Sequence, residues 1–263
     1  MKPAIQAIRE AVCPGNKTLY IEKNITEYDL YKNCWSIVKK NREDSALYAT
    51  HRNTPSYCIV TNFKMQAVKM AKDANAFDTT HYAWIDFGGG HVCKDTMTPY
   101  LAEIALNLKP KITACYIHYR SPKELQDLKA FVPGGPCALA GNFWTIEADL
   151  VDKAYAAWYS IFYEQLAEGV AHADEQTFTL LHSRHQDLFN LYYGDYASVY
   201  TNYTHIRNDF HQIRWFFIQE AVKKGETQIA KQALETCFKS IEAGVLHMRE
   251  EDKLSLRAFY NSL

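Results

Sequence analysis

Asp86 is the residue best placed for chemistry in this chain. It follows an apolar run, Tyr82-Ala83-Trp84-Ile85, and precedes Phe87, three glycines (Gly88, Gly89, Gly90) and His91. The run predicts a buried strand, and its abrupt end delivers a carboxylate to the carboxyl edge of a sheet. In open α/β folds that edge is where ligands bind. The glycines let a ligand approach the backbone closely. A hard carboxylate there suits Mg²⁺ or Mn²⁺ bridging to phosphate oxygens. His91 is open to two readings, as a metal ligand or as a donor to a backbone carbonyl.

Asp174-Glu175-Gln176 is the second candidate. Two carboxylates opening a helix lie in the positive end of its dipole and are expected to stay ionised. An ionised pair suits a base that takes a proton from a hydroxyl. The competing reading is that Asp174 caps the helix and Glu175 is solvated.

The rest of the chain must position these groups. Helices are predicted near 3–12, 29–40, 61–74, 98–108, 147–169 and from 174 through 181, with strands at 18–21, 82–86 and 112–118. Residues 131–144, with Pro133-Gly134-Gly135-Pro136 leading into an apolar run, read as a cleft wall where backbone meets ligand. Residues 188–203 have the texture of a strand and loop. From about Asn208 helical periodicity takes over, at 213–223, 228–243 and 250–260. Alternating short strands and helices predict an α/β sandwich, and the tail reads as a C-terminal helical appendage, residues 208–263, on a domain of residues 1–207.

Composition narrows the function. The chain has 263 residues, 48% of them hydrophobic, with 18 Tyr, 13 Phe and 5 Trp and a formal net charge of -1. Near-neutral charge gives no field to recruit nucleic acid or an anionic membrane surface. The seven cysteines are dispersed, without a C-x-x-C pair, which favours a reducing, cytoplasmic setting. No apolar stretch is long enough for a membrane span. G-x-S-x-G, H-E-x-x-H and the Walker loop are missing. Asp86-Phe87-Gly88 is not a kinase motif, because the catalytic-loop look-alike, His185-Gln186-Asp187-Leu188, follows it instead of preceding it.

Asn75-Ala76-Phe77, Trp84-Ile85-Asp86-Phe87-Gly88, the 133–144 stretch, Asp174-Glu175-Gln176 and Asp187-Leu188-Phe189, in that order, resemble the HtrL/YibB (WlaTC-like) family. The resemblance covers roughly residues 55–205. It implies a GT-A-like, Rossmann-type sandwich of mixed sheet with helices on both faces, and a nucleotide-sugar glycosyltransferase of surface-glycan biosynthesis. By the same resemblance Asp86 holds the donor diphosphate through Mn²⁺ or Mg²⁺, with Gly88 where a second Asp would stand. Lys64 lies near the donor, Gly141, Asn142 and Phe143 line the donor and acceptor cleft, and Asp174 with Glu175 deprotonates the acceptor hydroxyl. A further metal ligand is sought in Asn202 or His205. Because only a helix precedes Leu19, the first strand of such a sheet is expected to be missing. The expected partners are a nucleotide-sugar donor and a glycan acceptor. The alternatives are a catalytically silent relative that binds glycan or scaffolds a partner, and a metal-dependent phosphodiesterase or nucleotidyltransferase.

Overall fold

Strand β1 (His81–Ile85) is short because Thr79 and Thr80 start it and Asp86 ends it, and its aromatic Tyr82 and Trp84 give it something to pack. The structure, a computed structural model, describes residues 2–12, 18–22, 24–43, 54–86, 88–89, 93, 97–194, 196–204, 215–244 and 246–263. Before β1 come α1 (Lys2–Val12), α2 (Asp29–Glu43), α3 (Pro55–Asn62) and α4 (Lys64–Ala74). The chain continues through α5 (Met97–Leu106), β2 (Ile112–Tyr116), α6 (Pro122–Gln126), α7 (Leu128–Phe131), β3 (Leu139–Glu147), α8 (Val151–Ala167), α9 (Asp174–Arg184) and β4 (Phe189–Tyr193). It ends in α10 (Trp215–Lys223), α11 (Thr227–Glu242) and α12 (Glu250–Ser262). The fold is α/β with a four-stranded mixed sheet in the order β1-β3-β2-β4. β3 runs antiparallel to both β1 and β2, while β2 and β4 are parallel.

The pleat sorts side chains onto two faces. Ile112, Ala114, Trp144 and Ile146 face a large core closed by helices, including Val38 of α2, Ile59 of α3, Met65 of α4, Trp158 of α8 and Phe178 of α9. Cys115, Phe143 and Tyr192 belong to a second cluster, with Ile104 of α5 and Val199, Tyr200 and Tyr203 of the turns after β4. Tyr203 anchors that second layer: its hydroxyl meets Thr145 Oγ1 at 2.8 Å and accepts from the Lys109 N–H at 3.1 Å.

The C-terminal helices bury their own apolar stripes, with Ile218, Ala221, Leu234 and Cys237 at the centre. They dock on the sheet through Phe217, whose ring meets Tyr116, Tyr119 and Tyr193 at 5.1–5.4 Å. Lys224 completes the seam, donating to Tyr119 O at 3.2 Å and pairing with Glu124 at 2.7 Å. Among the described residues no helix is long and apolar enough to cross a membrane.

Three expected elements differ. The run Tyr82–Ile85, expected to be a buried strand, lies in β1 at the edge of the sheet, with Ala83 and Ile85 exposed, because only β3 flanks it. Thr18–Ile21 has strand composition but joins no strand of the sheet, and Leu19 and Ile21 stand half-exposed. Without a neighbouring ladder, β-propensity alone does not make a strand. Residues 139–144, read as cleft wall, are the first part of the central strand. β3 is buried on both faces, so it shows a continuous apolar run instead of alternation.

Candidate functional site

The site forms where β1 ends, beside the amino terminus of α9. Asp86 keeps the strand register for one more step, its N–H donating to Asn142 O at 2.9 Å. Its side chain is held by the Trp84 indole N–H, which donates to Oδ1 at 2.6 Å. Trp84 lies two residues earlier, on the same face of the strand. A tight turn follows, with the Gly89 N–H donating to Asp86 O at 2.9 Å. Gly88 is exposed, and a methyl group there would touch nothing within 4 Å.

Lys64, the first residue of α4, reaches into the same corner. Its Nζ lies 3.0 Å from Asp86 Oδ1 and 2.8 Å from Asp174 Oδ2, and it donates to Gly141 O at 3.0 Å. The ammonium is buried, its side chain 7% exposed. Burial alone would push its pKa down, but Asp174 and Asp86 together carry it above the ordinary lysine value. Lys64 is therefore a charged bridge between the two candidate motifs.

A break in the sheet makes room for it. Ala114 pairs with Trp144 but Tyr116 pairs with Leu139, so an irregularity of β3 sets several of its residues opposite Cys115 of β2. Bulges of this kind re-aim backbone groups near sites. The released groups of Gly141 find side-chain partners: its N–H donates to Glu175 Oε1 at 3.3 Å and its O accepts from Lys64. Gly141 has to be glycine, since a Cβ there would fall 2.5 Å from Asp174 Oδ2 and 2.9 Å from Glu175 Cγ.

Asp174 and Glu175 open α9 directly after Ala173, which makes no side-chain cap. The approach to this helix start is braced from several elements. Arg42 donates to Ala171 O at 3.0 Å, and Asn62 donates to His172 O at 2.9 Å while its Oδ1 accepts from Thr177 at 2.8 Å. Gln176 donates to Pro136 O at 2.9 Å. The capping reading of Asp174 is thus replaced by an ion pair.

The expectation that both carboxylates stay ionised needs correcting. Asp174 is 2% exposed, and burial pushes its pKa up to about 7 against the pull of the Lys64 ammonium; Glu175 and Asp86 push the same way as burial. Here desolvation outweighs the helix dipole. Because the folded value lies above the unfolded one, this group's contribution to stability is complete below its ordinary value of 3.8 and is lost as pH rises through about 7. Asp174→Asn is expected to flatten the fall in melting temperature between pH 5 and pH 8. A variant whose melting temperature falls as steeply as the parent's would contradict this.

Asn142 is a buried polar side chain beside Asp86. It is 7% exposed, and neither Oδ1 nor Nδ2 of its side chain has a hydrogen-bond partner among the described residues. By register it stands opposite Asp86 on β3. A buried amide without a partner costs on the order of 1–3 kcal/mol, a cost that a ligand would relieve. Phe143, by contrast, is core: it packs on Tyr200 and Tyr203 at 4.7 and 5.8 Å on the far face. Asn202 is 1% exposed and its amide donates to Tyr193 O at 3.1 Å, a structural role. Phe87, His91 and His205 lie outside the described residues.

A hard divalent cation at this corner would find one part-exposed carboxylate, Asp86, which already meets the Lys64 ammonium and the Trp84 indole. Among the described residues no three His, Cys, Asp or Glu side chains form a ready ligand cage. Mg²⁺ and Mn²⁺ commonly need only one or two carboxylates plus substrate phosphates. Asp86, its side chain 34% exposed at the strand exit, offers one hard oxygen donor group, and the unpartnered Asn142 amide oxygen lies across the strand pair. Two carboxylates, Asp86 and Asp174, share the one ammonium of Lys64, and Glu175 stands beside them without a cation partner among the described residues.

Sequence reasoning missed Tyr196 and the partners of Asp86. Tyr196 donates a short hydrogen bond to Glu175 Oε1, and Cys137 Sγ lies 3.4 Å from its hydroxyl. No local pattern connects residue 196 with residue 175; only the return of the chain after β4 does. Trp84→Asp86, spaced by two on a strand, was within reach of the sequence.

No curated protein and no solved structure matches this chain. The bacterial family HtrL_YibB, described as of unknown function, matches residues 16–205, a span that contains Lys64, Asp86, Gly141, Asn142, Asp174, Glu175 and Tyr196, and the chain belongs to that family.

Proposed function

We propose that the protein is a GT-A-like glycosyltransferase, moving a sugar from a nucleotide-sugar donor to a glycan hydroxyl with Mn²⁺ or Mg²⁺ bound at Asp86. One observation carries the reading: Asp86 at the end of β1, tied through Lys64 to Asp174 beside Glu175, facing an unpartnered buried amide at Asn142. Sugar transfer needs positive charge near the leaving diphosphate and a carboxylate near the attacking hydroxyl. The cation would neutralise charge on the diphosphate. Asp86 and the Asn142 amide would hold it, and Trp84 and Lys64 would fix the orientation of Asp86. Lys64 is committed to two carboxylates and a carbonyl, so it serves as a strut between the two halves of the site.

The test is release of nucleoside diphosphate from a panel of uridine and guanosine diphosphate sugars with Mn²⁺, using simple sugars as acceptors. Asp86→Asn is expected to lower release at least about 100-fold, the loss typical of a principal electrostatic group. Its melting temperature should stay close to the parent's, because the Trp84 N–H can still donate to the amide oxygen. Equal release by parent and variant would remove Asp86 from the chemistry and reassign it to turn structure.

A further inference from the structure

The adjacent carboxylates at the start of α9 are held by opposite means. Asp174 is buried and spent on Lys64, and the backbone of Gly141 closes over it. No acceptor hydroxyl reaches it without dismantling the ion pair. Glu175 is partly exposed and has no ammonium or guanidinium partner among the described residues. Two neutral donors, the Tyr196 hydroxyl and the Gly141 N–H, converge on its Oε1, while Oε2 has no partner among the described residues. A carboxylate with one oxygen clamped and the other open is oriented for proton transfer.

Tyr196 is itself seated from two sides. The Cys93 thiol donates to its backbone oxygen at 3.3 Å, and Cys137 Sγ lies 3.4 Å from its hydroxyl. Burial first, then the charge of Glu175 and the presence of Cys137, hold its hydroxyl well above the usual phenol range. Burial likewise pushes the Cys137 thiol up to about 12. Both groups stay protonated, so the chain Cys137, Tyr196, Glu175 runs in one direction and delivers a donor to Oε1.

We propose that Glu175, through Oε2, accepts the proton in this site, and that Tyr196 is the positioning residue that aims it. The inference rests on the transferase reading above and assigns its base to one of two candidates. In the step, the acceptor O–H bond breaks and its proton passes to Glu175 Oε2. The acceptor oxygen forms a bond to the anomeric carbon of the donor. The bond from that carbon to the diphosphate oxygen breaks, and its electron pair leaves with the nucleoside diphosphate. Glu175 then returns the proton to water.

The experiment uses the full chain with Mn²⁺ and the same panel of uridine and guanosine diphosphate sugars. It measures donor affinity and turnover for the parent, Glu175→Ala, Glu175→Gln, Asp174→Asn and Tyr196→Phe. Glu175→Ala and Glu175→Gln are expected to lower kcat by about 10²–10⁴-fold, the usual contribution of a general base, with donor affinity within about twofold. Added formate should restore turnover to Glu175→Ala and not to Asp174→Asn. Tyr196→Phe should lower kcat by about tenfold at unchanged donor KM, the split expected when only orientation is lost. Glu175→Gln, which keeps an oxygen for both donors, guards against a folding defect in the alanine variant. Turnover surviving in both Glu175 variants would overturn the assignment while leaving the transferase reading intact. A parent protein that binds none of the donors would overturn both.

Discussion

Lys64→Met is expected to be the most destabilising single substitution in this site, by about 3–5 kcal/mol in urea unfolding, the range for stripping one partner from a buried ion pair. The lysine lies between Asp86 and Asp174 at 3.0 and 2.8 Å and is nearly inaccessible. Removing it leaves Asp174 at 2% exposure with two further carboxylates nearby and no cation. That carboxyl must then take a proton or draw in water. Adding Asp174→Leu should recover much of the loss, because an apolar pair of similar volume replaces a bridge whose desolvation was costly. Asp86, a third exposed, keeps its Trp84 partner and some water in the double variant. A Lys64→Met protein as stable as the parent would mean that Lys64 is not the strut proposed.

Gly141→Ala carries the second-largest expectation, a loss of about 1–3 kcal/mol from overpacking, together with weakened donor binding. The added methyl would fall 2.5 Å from Asp174 Oδ2, and that oxygen cannot retreat without leaving Lys64. Glu175 Cγ, at 2.9 Å, would also have to move, breaking its bond from the Gly141 N–H. Gly88→Ala is the control, since a methyl there meets nothing within 4 Å. Chemical unfolding of the two variants decides the matter. Equal, small effects would show that β3 and α9 are not in the contact described.

What could be read from sequence was local. The run Tyr82–Ile85 ending at Asp86, and the carboxylates opening a helix at Asp174, are signals within a few residues, and the structure has both, although the strand lies at the sheet edge and is not buried. The strand at Ile112 and the tail helices followed from periodicity in the same way. The central strand β3 was harder, because burial on both faces removes the alternation that marks a strand. Thr18–Ile21 failed for the converse reason: its residues favour a strand, but no partner strand lies beside it.

The site itself depended on contacts far apart in the chain. Lys64 is placed near the site by the family resemblance and by no local pattern, and packing of α4 against the sheet turns it inward onto Asp86 and Asp174. Tyr196 meets Glu175 across 21 residues. The protonation behaviour of Asp174 depends on burial, which no helix-start pattern encodes. Residue types in a motif therefore named the participants, while their roles came from which of them the fold left paired or open.

The central claim is that this corner binds a nucleotide-sugar through a divalent cation. The most direct measurement is a thermal-shift screen of nucleoside diphosphates and nucleotide sugars, with Mn²⁺ and with chelator. A ligand present at 100 times its dissociation constant adds about 2.7 kcal/mol to apparent stability. The account predicts a rise in melting temperature that requires nucleotide and cation together and disappears in Asp86→Asn. No rise with any nucleotide, or one that persists in chelator and in Asp86→Asn, would contradict it.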